Sequence, residues 1–246
     1  MSRQASGSAT LAVAGTPAHD AHDALPIAAG AYGDRNAAIY DQIYPRVETG
    51  LLDQLESLAG KGPALELGVG TGRVALPLAQ RGVPVVGVDA STAMLARLHE
   101  RRRSEPVRTV LANFVDADLG GPYSLIYALV STLNLLPDLG TFARCLSHAR
   151  RFLKPDGALL IESYLSSEPS GHRQQSQVPI ATRHGQAYYQ VQALAIDLID
   201  QDRFACAAGL VLHERWCNWA AAPWHADAPP FARHISIYRL GSTSER

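Results

Sequence analysis

Between residues 64 and 162 the chain alternates short apolar runs with helix-like stretches, and the first run ends in Gly68-x-Gly70-x-Gly72. Few folds accommodate that order. Apolar runs this short and continuous suit strands covered on both faces. A strand followed by a helix and another strand, repeated at this spacing, gives right-handed crossovers and a parallel sheet. The spacing predicts strands over 64–67, 83–88, 107–111, 123–130 and 158–162, with helices over 73–81, 91–103 and 139–153. Residues 210–216 and 234–240 alternate as strands and are expected to form an antiparallel hairpin at the C-terminal edge. The fold expected is therefore α/β, doubly wound and mostly parallel.

The flanks are less regular. Residues 1–28, rich in small residues and His, read as a disordered leader, leaving 29–246 as the ordered domain. That leader has no continuous apolar stretch, and its acids Asp20 and Asp23 are atypical of a transit peptide. Over 35–58 apolar residues recur at helical spacing, from Ile39 to Leu58, but Pro45 interrupts them, so two helices or one kinked helix are expected. After Tyr164, residues 166–177 read as a polar loop, 188–194 as a strand and 196–208 as a helix ended by Gly209; 164–209 is the expected lid or substrate region.

Composition narrows the function. With 47% hydrophobic residues the chain can bury a core, and a net charge of −1 argues against a nucleic-acid partner. The basic stretch Arg101-Arg102-Arg103, with Arg108, reads as a solvated helix end complementing the helix dipole. Cys145, Cys206 and Cys217 are odd in number and lack CxxC spacing. They suit neither a disulfide framework nor a metal site, and fit a reducing, cytoplasmic setting. No apolar run approaches the ~20 residues of a membrane span.

The glycine loop lies where open α/β sheets bind ligands, beyond the C-terminal end of a strand. A dinucleotide fingerprint needs a glycine at the position of Arg73, and a phosphate loop needs a Lys that is absent, so neither fits. Asp89 closes the second strand, where a carboxylate can accept both hydroxyls of a ribose diol or cap the following helix.

Glu66-Leu67-Gly68-Val69-Gly70-Thr71-Gly72-Arg73 and Val86-Gly87-Val88-Asp89-Ala90-Ser91-Thr92-Ala93-Met94-Leu95 resemble the first two motifs of class I S-adenosylmethionine (SAM)-dependent methyltransferases. Phe152-Leu153-Lys154-Pro155-Asp156-Gly157-Ala158-Leu159-Leu160-Ile161 resembles the segment leading into that family's fifth strand. The resemblance spans roughly residues 32–164 and implies a seven-stranded Rossmann-like sheet with SAM as cofactor. It implies that Gly68 and Gly70 face the methionine part of SAM and that Glu66 orders the loop. Asp89 would hold the ribose, with Met94 against the adenine. Val69, Gly72, Arg73 and Ala90 would be further cofactor-binding positions. Asn113 and Phe114 follow the third strand beside the adenine, and Ala128 and Leu129 would line the methyl-donor side. Tyr40, in Tyr40-Asp41-Gln42-Ile43-Tyr44, would close over the cofactor; packing into the core explains it equally well.

After Tyr164 the resemblance thins, because an aromatic-Pro-Glu signal is missing and the segment before Gly209 looks short. Candidate catalytic residues are His184, Tyr40 and Tyr164, with His172 also near the expected mouth and His213 and His234 farther along. Asp197 and Asp200 read as a solvated helix face. Trp219 and Trp224, with Trp216 and Phe231 nearby, suit an acceptor wall, core packing or a homodimer contact equally well. The reading expected is methyl transfer to an N or O atom of a small molecule of secondary metabolism, with neither nucleic acid nor membrane as partner. The alternatives are a SAM-fold enzyme that catalyses a cyclisation or rearrangement, and a non-catalytic SAM-binding protein.

Overall fold

The computed structural model describes residues 28–182 and 185–241. The expected leader, apart from Ala28, and His184 lie outside these residues. The alternating core folds as β1 (Ala64–Leu67), α4 (Ala75–Gln80), β2 (Val85–Asp89), α5 (Thr92–Arg101), β3 (Val107–Leu111), β4 (Tyr123–Ala128), α6 (Leu139–Arg150) and β5 (Leu153–Tyr164). Ahead of it come α1 (Ala31–Asn36), α2 (Tyr40–Ile43) and α3 (Leu51–Ala59); behind it β6 (Arg173–Thr182), β7 (Gly185–Leu194), α7 (Leu198–Ala207), β8 (Leu210–Trp216) and β9 (Arg233–Leu240).

Seven strands make one sheet in the order β3-β2-β1-β4-β5-β9-β8. β1 to β5 pair in parallel, and β9 enters antiparallel between β5 and β8. Strand order reverses at β1 and β4, so their C-terminal ends open a crevice. All four residues of β1 are buried, as a strand covered on both faces requires. One apolar cluster, holding Leu55, Leu78, Leu98 and Leu160, fills one face of the sheet; a second, holding Leu65, Ile126, Phe142 and Tyr238, fills the other.

Local chemistry sets the helix starts. Ser91 accepts a hydrogen bond from Met94 N at 3.1 Å, Asp138 from Thr141 N at 2.6 Å and Asp197 from Asp200 N at 2.7 Å, each satisfying an orphan amide of the first turn. Asp197 is thus a cap, and Asp200 pairs with Arg203 on the exposed face.

Two departures from expectation affect the site. Residues 35–58 hold parts of three helices rather than two: Pro45 and Gly50 both fall in the gap between α2 and α3, and a turn over 37–39 separates α1 from α2. The polar stretch expected as a loop over 166–177 instead runs into β6, which pairs with β7 along its whole length as a separate two-stranded sheet. Pro179 is tolerated there because β6 has one partner and its other edge carries no ladder.

Candidate functional site

The crevice is one cavity of about 1000 Å³, at the upper end of the range for small-molecule sites. Its floor is the glycine loop. Gly70 has φ +55°, and a Cβ there would meet nothing closer than Met94 Sδ at 3.9 Å, so the missing side chain is open space beside Met94. Gly68, at φ +73°, is packed instead: a Cβ would lie 2.6 Å from Thr132 Cγ2. Both backbone positions need glycine, for different reasons.

Asp89 ends β2 at the edge of the loop. Its Oδ2 accepts Gly70 N–H and its Oδ1 accepts Ser91 N–H, both at 2.8 Å. Burial raises its pKa, and the amides of Ser91, Gly70 and Ala90 pull it back down. Ser91, not Asp89, is the side-chain cap of α5, so each Asp89 oxygen keeps a lone pair for a ligand. Arg73 also lines the cavity, and its Nε is the one buried side-chain polar atom without a hydrogen-bond partner among the described residues. A buried, orphaned guanidinium N–H calls for an anionic acceptor. A carboxylate able to take a diol, a guanidinium with one unpaired N–H and a glycine-bare floor together fit the ribose and amino-acid ends of SAM.

The expected cofactor residues separate into two groups. Tyr40, Gly68, Gly70, Arg73, Asp89, Ala90, Met94, Asn113 and Phe114 line the cavity. Glu66, Val69, Gly72, Ala128 and Leu129 do not. Glu66 lies beneath the loop, fully buried, accepting Tyr127 O–H at 3.0 Å; burial pushes its carboxyl up to about 8. Val69 packs into the core under Gly87, and Gly72 abuts Leu98 and Leu76. Ala128 and Leu129 are buried in opposite core clusters, so the wall after β4 is made by Val130, Ser131 and Thr132 instead. The cause is a turn: Val130 and Ser131 adopt left-handed φ of 50° and 57°, which brings the chain over the crevice just after the two positions that the resemblance implied.

Over this floor stands the β6–β7 hairpin. Val178, Ile180, Tyr189, Val191 and Ala193 turn into the cavity, and Phe231, Pro229 and Pro230 continue the wall. Tyr189 O–H meets Tyr32 O–H at 2.9 Å and Tyr44 O–H at 3.3 Å, tying the hairpin to the N-terminal helices. Burial raises the pKa of all three phenols, which stay neutral near pH 7. A polar cluster closes the far side. Glu162 accepts Val130 N–H at 2.9 Å and Trp219 Nε1–H at 3.3 Å, and pairs with Arg233, which also donates to Glu48 at 2.6 Å.

The catalytic candidates are redistributed. Tyr40 and Tyr164 both line the cavity, but burial raises both phenols above their ordinary value, so they offer hydrogen bonds rather than act as bases. His172 and His213 are exposed outside the cavity, and His234 is buried beside Ser236 with its pKa pushed down to about 3 by burial and Arg215. Trp219 is core and Trp224 packs edge-on against His234; of that aromatic stretch only Phe231 reaches the cavity. Glu162, Arg233 and Tyr189 escaped sequence reasoning because no local spacing links them; Tyr189 alone left a sign, in the alternation of its strand.

The fold is that of class I SAM-dependent methyltransferases, and SAM is the cofactor of such a domain. Residues 64–157 match the Methyltransferase domain family. The structure of the CcbJ methyltransferase from Streptomyces caelestis is similar at 28% identity and a TM-score of 0.75, over 86% of this chain and 98% of that one. The cypemycin N-terminal methyltransferase of a Streptomyces species is 32% identical over 98 residues, 40% of each chain. A ubiquinone biosynthesis O-methyltransferase of Pseudomonas aeruginosa is 30% identical over 116 residues, 46% of this chain and 48% of that one. The chain thus matches a little under half the length of these curated relatives.

Proposed function

We propose that this protein transfers a methyl group from SAM to a nitrogen or oxygen atom of a small molecule, of the kind made in secondary metabolism. The observation that carries the reading is the continuity of the cavity: one space joins the loop and Asp89 to the apolar hairpin wall and the Glu162–Arg233–Glu48 cluster. SAM, when bound, supplies an electrophilic methyl on a sulfonium. The chain's own residues then have two tasks. Asp89, Arg73 and the glycine loop hold the cofactor, and the hairpin with Phe231 and the prolines excludes water and orients the acceptor.

The acceptor side favours a small molecule over a polymer. Its hairpin wall is made of short apolar side chains and the neutral phenol of Tyr189. Within the basic stretch, Arg101 pairs with Asp41 and Arg102 donates to Val107 O, so two of its cations are engaged within the protein. Relatives that methylate at nitrogen and at oxygen support both atoms equally. The rearrangement alternative loses its motive, because the segment before Gly209 holds a complete hairpin and α7. Incubation with SAM and a panel of amines and phenols, read by S-adenosylhomocysteine release and product mass, tests the reading. Release coupled to a methylated product supports it; cofactor turnover without a methylated product, or no affinity for S-adenosylhomocysteine, overturns it.

A further inference from the structure

We propose that Asp41, Thr71 and Arg101 form a latch that holds the N-terminal cap over the cofactor. The latch rests on the cofactor site described above, but none of its three residues lines the cavity, so each is a positioning residue. Thr71 Oγ1 donates to Asp41 Oδ1 at 2.7 Å. Arg101 Nη1 donates to the same Oδ1 at 2.7 Å and to Thr71 Oγ1 at 3.0 Å, closing a triangle. The corners come from three separate places: α2, the glycine loop and the last residue of α5.

The triangle has leverage because each of two corners adjoins a cavity residue. Asp41 follows Tyr40, which lines the cavity together with Ile43 and Tyr44, and Thr71 follows Gly70. α2 is one turn long, too short to hold itself in place. Displacing Asp41 therefore displaces Tyr40. Thr71 is fully buried, and a buried hydroxyl without a partner is costly, so the loop and the cap favour each other. The ion pair itself is about one-third exposed and screened, so the buried hydroxyl contributes the larger share.

Thr71→Val removes the hydroxyl at nearly constant volume, and Thr71→Ser keeps it. Titration of the full chain with S-adenosylhomocysteine is expected to give a Kd about tenfold weaker for Thr71→Val, mostly through faster dissociation, and near wild type for Thr71→Ser. Arg101→Met should weaken binding by about threefold, with Arg101→Lys restoring most of it. Backbone amides of residues 40–44 should exchange faster in Thr71→Val. Because Arg101 is at the surface, its variants fold whatever the fate of Thr71→Val. Variants that melt at lower temperature yet bind S-adenosylhomocysteine as wild type does would overturn the latch alone. A wild-type chain that does not bind the ligand would overturn the cofactor reading and the latch with it.

Discussion

Asp89 and Glu66 are carboxylates raised by burial, one at the cavity and one beneath it, and they should respond to substitution in opposite ways. Asp89→Asn keeps the shape but turns one acceptor oxygen into a donor facing either Gly70 N–H or Ser91 N–H. Loss of charge-assisted bonds of this kind is worth about 1.5–3 kcal/mol, so S-adenosylhomocysteine affinity should fall at least about tenfold in a calorimetric titration. Unchanged affinity would mean that the ribose lies elsewhere. Glu66 touches no ligand surface. Its pKa rises from 4.5 in the free side chain to about 8 in the fold, so the folded protein binds more protons between those values. Stability from this group is full below pH 4.5 and is lost as pH rises through 8, on the order of a few kcal/mol. Glu66→Gln should flatten the wild-type decline in denaturant midpoint over that window while leaving cofactor affinity near wild type. A variant with the same pH slope as wild type would sink the assignment.

The elements most legible in sequence are those whose residues answer to one neighbour at a time. β3 and β8 fall on their expected residues, and α5 starts beside Asp89 as expected, with Ser91 as its cap. β6 was illegible because its inward positions include Gln174 and Ser176 as well as Val178 and Ile180, so apolar alternation covers only its distal half. What holds the hairpin is a contact distant in sequence. Asn36, fully buried, donates to Gln190 O at 2.7 Å and accepts Gln190 N–H at 3.1 Å, standing in for a residue of a third strand. Asn36→Ala would leave both backbone groups without their partner, at a cost of about 1–3 kcal/mol. Amide exchange at Gln190 and its neighbours in β7 should then accelerate, while β1 and β4 stay protected. Equal protection of the hairpin in variant and wild type would show that the tyrosine contacts suffice to hold it.

Taken as a whole, the molecule divides its cavity between two kinds of wall. The sheet and its loops form the floor proposed to hold the cofactor, and its lining was legible because the glycines, Asp89 and Met94 lie within one continuous stretch of chain. The hairpin, Glu162 and the turn carrying Phe231 come from segments more than a hundred residues from the first helices, and they meet only once the chain has folded. That is why Ala128 and Leu129 are expected where Val130 and Thr132 stand, and why Trp219 and Trp224 read as an acceptor wall although neither lines the cavity. If the two halves act separately, a change on one should leave the other intact. Val178→Glu puts a charge on the apolar hairpin wall, opposite Tyr189 in the β6–β7 register. The hairpin is half-exposed there, so the carboxylate can reach water and the fold should survive. S-adenosylhomocysteine should bind within about twofold of wild type, while methyl transfer to an apolar acceptor falls more than tenfold, since an unpaired charge at a buried contact costs several kcal/mol. Equal losses in both measurements would mean that hairpin and floor enclose the cofactor together, and the acceptor would then have to enter from the side of Arg233 and Glu48.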